Sequence, residues 1–176
     1  ENLPQGVVLV DGKKDLLTMI DKLISSPENA NEQENSIIGI IRRDRVNLDT
    51  ELLAAVKKAA GKSKPNIVRI AGATGSGKVR ANIRQLAKSS DPALVDACVR
   101  GLCATFDDIV DEGVEMLVVF KKPEHQTIIC RSMLRRIARS KASKEEKLKL
   151  LQMMVTLDIP QEDKKNIEQV LAHHKK

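Results

Sequence analysis

The stretch "KPNIVRIAGATGSGKVRANIRQLAK", residues 64–88, decides how the whole chain is read. Taken one way it is a short apolar strand, a glycine-rich loop and a helix. Gly72, Gly77 and Lys78 then stand at the spacing of a phosphate loop, whose amides and lysine cradle a nucleotide. Taken the other way it is the junction between two helices. A phosphate loop needs a hydroxyl after its lysine to hold Mg²⁺, and Val79 occupies that place. It also needs a later apolar strand ending in aspartate, whereas "VEMLVVFKK" (114–122) closes on Phe120 and Lys121. Two parts of the metal-nucleotide machinery are missing, so a degenerate nucleotide loop using Gly72, Gly77 and Lys78 stands as the alternative to an inter-helix connection.

The composition around this stretch favours helices. The 176 residues include two phenylalanines and no tyrosine or tryptophan. Sheets draw on aromatic and β-branched side chains, whereas a core of Leu, Ile, Val, Ala and Met suits helix against helix. The formal charge of +6, from 30 Lys and Arg against 24 Asp and Glu, suits an acidic partner. No apolar run approaches the roughly 20 residues that span a bilayer, so membrane insertion is not expected. Cys98, Cys103 and Cys130 form no C-x-x-C and read as buried thiols of a reducing compartment, cytoplasm or nucleus. His125, His173 and His174 lack a second ligand at helical spacing, which argues against a metal site. No Ser/His/Asp or Cys/His arrangement suggests nucleophilic catalysis, and neither a cofactor nor enzymatic activity is expected. The chain opens on Glu1 rather than methionine and reads as a piece of a longer protein.

Outward from residue 64, helical signals recur. Residues 1–12, with Pro4, Gly6 and Gly12, read as an extended entry segment. Leu16, Met19/Ile20, Leu23 and Ile24 then fall at three-four spacing. Pro27 punctuates before "ENANEQENSIIGIIRRDR" (28–45), and Asp49 or Thr50 is placed to cap the helix carrying Leu52, Leu53 and Val56. Ser90 or Asp91 precedes Pro92 at a first helical position, followed by Leu94/Val95, Cys98, Leu102 and Phe106 on one face. After Pro123, Ile129, Met133 and Ile137 point inward. Ser143 with Glu146 forms a capping box, and "PQEDKKNIEQVLAHHKK" (160–176) begins acidic and ends basic, as its dipole prefers. The runs VVLV, SIIGII, NIVRI and EMLVVF keep a competing α/β reading open.

A 31-residue shift aligns the chain with itself twice. Leu52 falls on Ile83 and Val114, and Ala55 on Leu86 and Leu117. Gly61, Pro92 and Pro123 coincide at the break, followed by Val68, Val99 and Cys130 and then by Arg69, Arg100 and Arg131. Ala73–Thr74 overlays Ala104–Thr105. "DPALVDACVRGLCATFDDIVDEGVEMLVVFKKPEHQTIICRSMLRRIARS" (91–140) resembles the armadillo and HEAT class of helical repeat, most clearly over residues 83–141. The resemblance implies an all-α fold, a right-handed superhelical stack of helix pairs over 13–176, in approximate units 13–48, 49–79, 80–113, 114–143 and 144–176. It also implies a binding groove without chemistry of its own. Pro65 departs from the pattern, as does a period shorter than about forty residues. In this register "GATGSGKV" overlays "CATFDDIV", a connection between repeats, whose glycines read as linker residues.

The expected function is a non-catalytic protein-interaction scaffold or adaptor that binds an acidic or extended segment of another protein. Its candidate surface is a ladder of arginines. Arg131, Arg135 and Arg139 share a helix face away from Ile129, Met133 and Ile137, and Arg69 and Arg100 extend it through the repeat register. As exposed charges these arginines are expected to add little to folding. The bland reading is a solvated face, with Asp96 one turn from Arg100 as a local partner. RNA is the alternative ligand through phosphate contacts, although almost no aromatic side chain exists for bases to stack on. The acidic "DDIVDE" (107–112) reads as a helix cap, and Met153–Met154 as core.

Overall fold

A computed structural model describes residues 5–105 and 110–176, with side chains from residue 12 onward. The described residues are all-helical: ten α-helices, one short 3-10 turn and no strand. The runs that kept an α/β reading open lie within helices, except Phe120, which ends the last one. Two compact units divide the chain, residues 1–105 and 106–176.

The first unit contains α1 (Gln5–Ser25), α2 (Ala30–Asp44), α3 (Asp49–Lys58), the 3-10 turn Gly61–Ser63, α4 (Lys64–Thr74), α5 (Gly77–Leu86) and α6 (Pro92–Cys103). Helix α1 begins inside the stretch read as extended. Gly6 and Gly12 each weaken a helix by only about 1 kcal/mol relative to alanine, too little to halt one that continues into a buried apolar face. That face is Leu16, Ile20 and Leu23, all but inaccessible to solvent. Pro65 is no irregularity either, because it sits in the first turn of α4, where its missing N–H costs no hydrogen bond.

Helix α4 is the centre of this unit. It packs most extensively on α6 and also meets α1, α2, α3 and α5. Seven of its eleven residues are buried, which explains a sequence too apolar for a surface helix. Its contact with α6 is made by backbone. A Cβ on Gly72 would stand 2.8 Å from the Gly101 carbonyl carbon, and one on Gly101 would stand 3.0 Å from the Arg69 Cα. Only glycine allows the two helices this approach.

The second unit contains α7 (Asp111–Val119), α8 (Pro123–Ile137), α9 (Lys144–Val155) and α10 (Gln161–Lys175). Helix α10 packs on α9 and on α8, and α7 meets α8. Its core includes Met116, Leu117, Ile129, Met133, Ile137, Leu150, Leu151, Met154 and Ile167. Met154 is buried, while Met153 is half-buried. The caps follow sequence chemistry: Asp91 accepts from the Ala93 N–H at 3.0 Å, and Ser143 and Glu146 complete a capping box. Asp111 and Glu112 lie in the first turn of α7. Phe106 and residues 107–109 of the acidic run lie outside the described residues. All three cysteines are buried and unpaired with one another.

Candidate functional site

The glycine-rich stretch is a helix junction. Gly72 lies within α4, and the link to α5 is Gly75–Ser76 alone. Reading Gly72 as a linker residue is therefore corrected: it is a packing residue, fixed by the backbone of α6. Gly77 opens α5 with free space where a Cβ would go, Lys78 is exposed, and Val79 is wholly buried. The loop is already held from within. The Asp49 carboxylate accepts the Ser76 backbone N–H at 3.0 Å and makes a second, very short bond with the Ser76 hydroxyl. Asp49 thus serves the α4–α5 link, while Leu48 stands at the N-cap of α3. A phosphate placed at Gly72–Lys78 would meet this carboxylate and find the Ser76 amide engaged.

Two arginines that sequence patterning did not single out close the ends of α4 and α6. Arg80 is 1% exposed, and its guanidinium donates to the carbonyls of Gly72 at 2.7 Å and Leu102 at 2.8 Å. Arg42 donates to the carbonyls of Ala73 at 3.2 Å and Ala104 at 3.3 Å, and to the Thr105 hydroxyl. Carbonyls in a helix's last turn lack intrahelical donors, and cations there also suit the helix dipole. The two carbonyl acceptors of Arg42, on Ala73 and Ala104, belong to positions that the 31-residue shift superposes. One sequence signal was available for Arg80: it falls between Val79 and Ile83 on the inward face of α5, where a solvated arginine has no place.

The five ladder arginines divide by what holds them. Arg69, with a side chain 23% exposed, makes a bidentate pair with Glu34 of α2 at 2.8 and 3.0 Å. Asn66 donates to the same carboxylate at 2.8 Å, so Glu34 joins α2 to α4 in a buried polar cluster. Arg100 is exposed and pairs with Asp96 one turn back at 2.8 Å. Arg131, although 57% exposed, clamps Asp163 of α10 at 2.7 and 2.9 Å; the Asp163 side chain is 9% exposed. Its guanidinium is held even more firmly protonated by this bond and the carboxylate's charge. The expectation that Arg131 adds little to folding is corrected accordingly, since removing it would strand a buried carboxylate.

Arg135 and Arg139 differ. Arg135 is exposed in the last turn of α8, one turn beyond Arg131, whereas Arg139 is exposed in the turn after the helix ends at Ile137, so the helix face expected for Arg131, Arg135 and Arg139 stops at Arg135. Arg135 donates to the Ser132 hydroxyl at 3.2 Å, and Arg139 makes no side-chain bond among the described residues. Arg135 lies across α8 from the buried Ile129, Met133 and Ile137. Arg69 and Arg100 belong to the first unit, and Arg131, Arg135 and Arg139 to the second.

The described residues contain no group of three or more His, Cys, Asp or Glu side chains placed to hold a metal ion. No helix among them is long and apolar enough to cross a membrane. His125 is buried, edge-on to Phe120 at 6.1 Å between ring centroids. Burial pushes the Cys98 and Cys130 thiols up to about 12, far from a reactive thiolate. Compared with known proteins, the chain matches no family model, no curated protein and no solved structure.

Proposed function

We propose that the protein is a non-catalytic interaction scaffold whose exposed arginines at the end of α8, Arg135 and Arg139, receive an acidic segment of another protein. The observation that carries this reading is the state of Arg135 and Arg139. Two exposed guanidiniums, one in the last turn of α8 and one in the turn just after it, engage no carboxylate among the described residues, while Arg69, Arg100 and Arg131 are each paired within the chain. An unpaired guanidinium keeps its planar fork available to a carboxylate, and desolvated arginines are frequent energetic centres of interfaces. The ladder thus contracts to Arg135 and Arg139, with Arg131 as the clamp beneath them.

The armadillo-like or HEAT-like stacking of helix pairs belongs to the same proposal. Supporting it, Val68 of α4 and Val99 of α6, superposed by the 31-residue shift, are both wholly buried. Arg42 also gathers two carbonyls related by that shift.

A fluorescent glutamate-rich peptide titrated by anisotropy tests the reading. Saturable binding that falls at least about tenfold in Arg135→Glu/Arg139→Glu, with the melting temperature unchanged, is expected. A single-stranded RNA bound more tightly than the peptide would replace the reading with phosphate recognition. Binding of Mg-ATP that disappears in Lys78→Ala would replace it with nucleotide binding.

A further inference from the structure

A shallow depression in the second unit is lined by Lys144, Lys147, His173, His174 and Lys176. The first two come from the opening turns of α9, the histidines from the last turn of α10, and Lys176 from just beyond it. No aspartate or glutamate side chain lines the depression. The two acids of α9's first turn are engaged elsewhere: Glu145 pairs with Lys149 at 3.0 Å, and Glu146 accepts the Ser143 N–H at 2.7 Å.

Helix stability alone explains only half of this arrangement. Cations at the end of α10 suit its dipole, so the histidines and Lys176 are favourable there without any ligand. Lys144 and Lys147 are not. They begin α9, where the helix's own partial charge is positive and a cation costs a few tenths of a kcal/mol. Five cationic or protonatable groups around one concavity also repel one another. Lys144, Lys147, His173, His174 and Lys176 make no ion pair among the described residues that would relieve this.

From this we infer that the depression is a binding site for a small multivalent phosphate anion. The side chains name the chemistry. Ammonium groups are compact point charges suited to phosphate oxygens, and several of them around one concavity favour an anion that carries more than one charge. The depression is open, so a bound anion stays partly in water and its affinity falls as salt rises. The depression shares no lining residue with Arg135 or Arg139, and the inference does not depend on the reading given to those arginines.

Tripolyphosphate is the probe, with sulfate at matched ionic strength as the comparison. The chain has three histidines, of which His125 is buried, so imidazole resonances report the site directly. Saturable perturbation of two imidazoles by tripolyphosphate, with that of buried His125 unmoved, is expected. Lys144→Gln/Lys147→Gln is expected to weaken binding about tenfold, as loss of two exposed charge contacts implies, while Arg135→Gln/Arg139→Gln leaves it within about twofold. All four positions are solvent-facing or half-buried, so the variants remain folded. Three results would overturn the assignment: no saturation, equal response to sulfate, or equal weakening by the α8 variant.

Discussion

Replacing Gly72 by alanine tests the central contact of the first unit. The added Cβ would lie 2.8 Å from the Gly101 carbonyl carbon and 3.0 Å from the Gly101 Cα and the Leu102 nitrogen, where 3.4–4 Å is ordinary contact. All three atoms are backbone, so no side chain can swing aside, and α4 and α6 must part by roughly half an ångström. That motion stretches the bonds from Arg80 to Gly72 and Leu102, which tie the same two helix ends. Overpacking of this kind costs about 1–3 kcal/mol, and the rigid neighbour puts this site at the upper end. Alanine returns about 1 kcal/mol as the better helix former, leaving a net loss of about 2 kcal/mol. Gly77→Ala is the internal control, because its Cβ meets nothing within 4 Å. It should leave stability unchanged or slightly raised. Urea denaturation followed by far-ultraviolet circular dichroism measures both. If Gly72→Ala were as stable as Gly77→Ala, the close crossing of α4 and α6 would be refuted.

Arg80→Met should cost about 3 kcal/mol or more in the same assay, since two buried carbonyls lose charge-assisted bonds. Arg131→Glu sets a carboxylate against buried Asp163 and should lose about 1–2 kcal/mol, less than a fully buried pair because Arg131 itself is half-exposed, while Arg139→Glu should stay within about 0.5 kcal/mol of the parent chain. Equal effects on urea unfolding would show that Arg131 is no clamp. The thiols of Cys98 and Cys130, pushed up to about 12 by burial, are about 10⁻⁴ ionised at pH 8. Iodoacetamide should therefore label neither in the folded chain and both in urea, as peptide mass spectrometry would show; rapid labelling of the native protein would contradict their burial.

Helical character was legible residue by residue. Asp91–Pro92 and Ser143 with Glu146 are local signals, because a cap and the backbone N–H that donates to it lie within four residues of each other. The inward face of α8 was equally plain from the spacing of Ile129, Met133 and Ile137. Local chemistry also raised a doubt about residues 64–88, because Val79 cannot ligate a metal. What it missed was long-range. Arginines at the same repeat position look alike in sequence, yet Arg69 finds Glu34, Arg131 finds Asp163, and Arg139 finds no acid among the described residues. Each pairing joins helices more than thirty residues apart, and no period in the chain records where a carboxylate from another helix will fall. Gly72 shows the same division. Its identity permitted a phosphate loop, a linker or a helix contact with equal ease, and the backbone of Gly101 decided among them by leaving no room for a Cβ. Periodicity and caps depend on neighbours along the chain and are therefore written in it; burial, pairing and close approach depend on neighbours across the fold, which packing alone brings together.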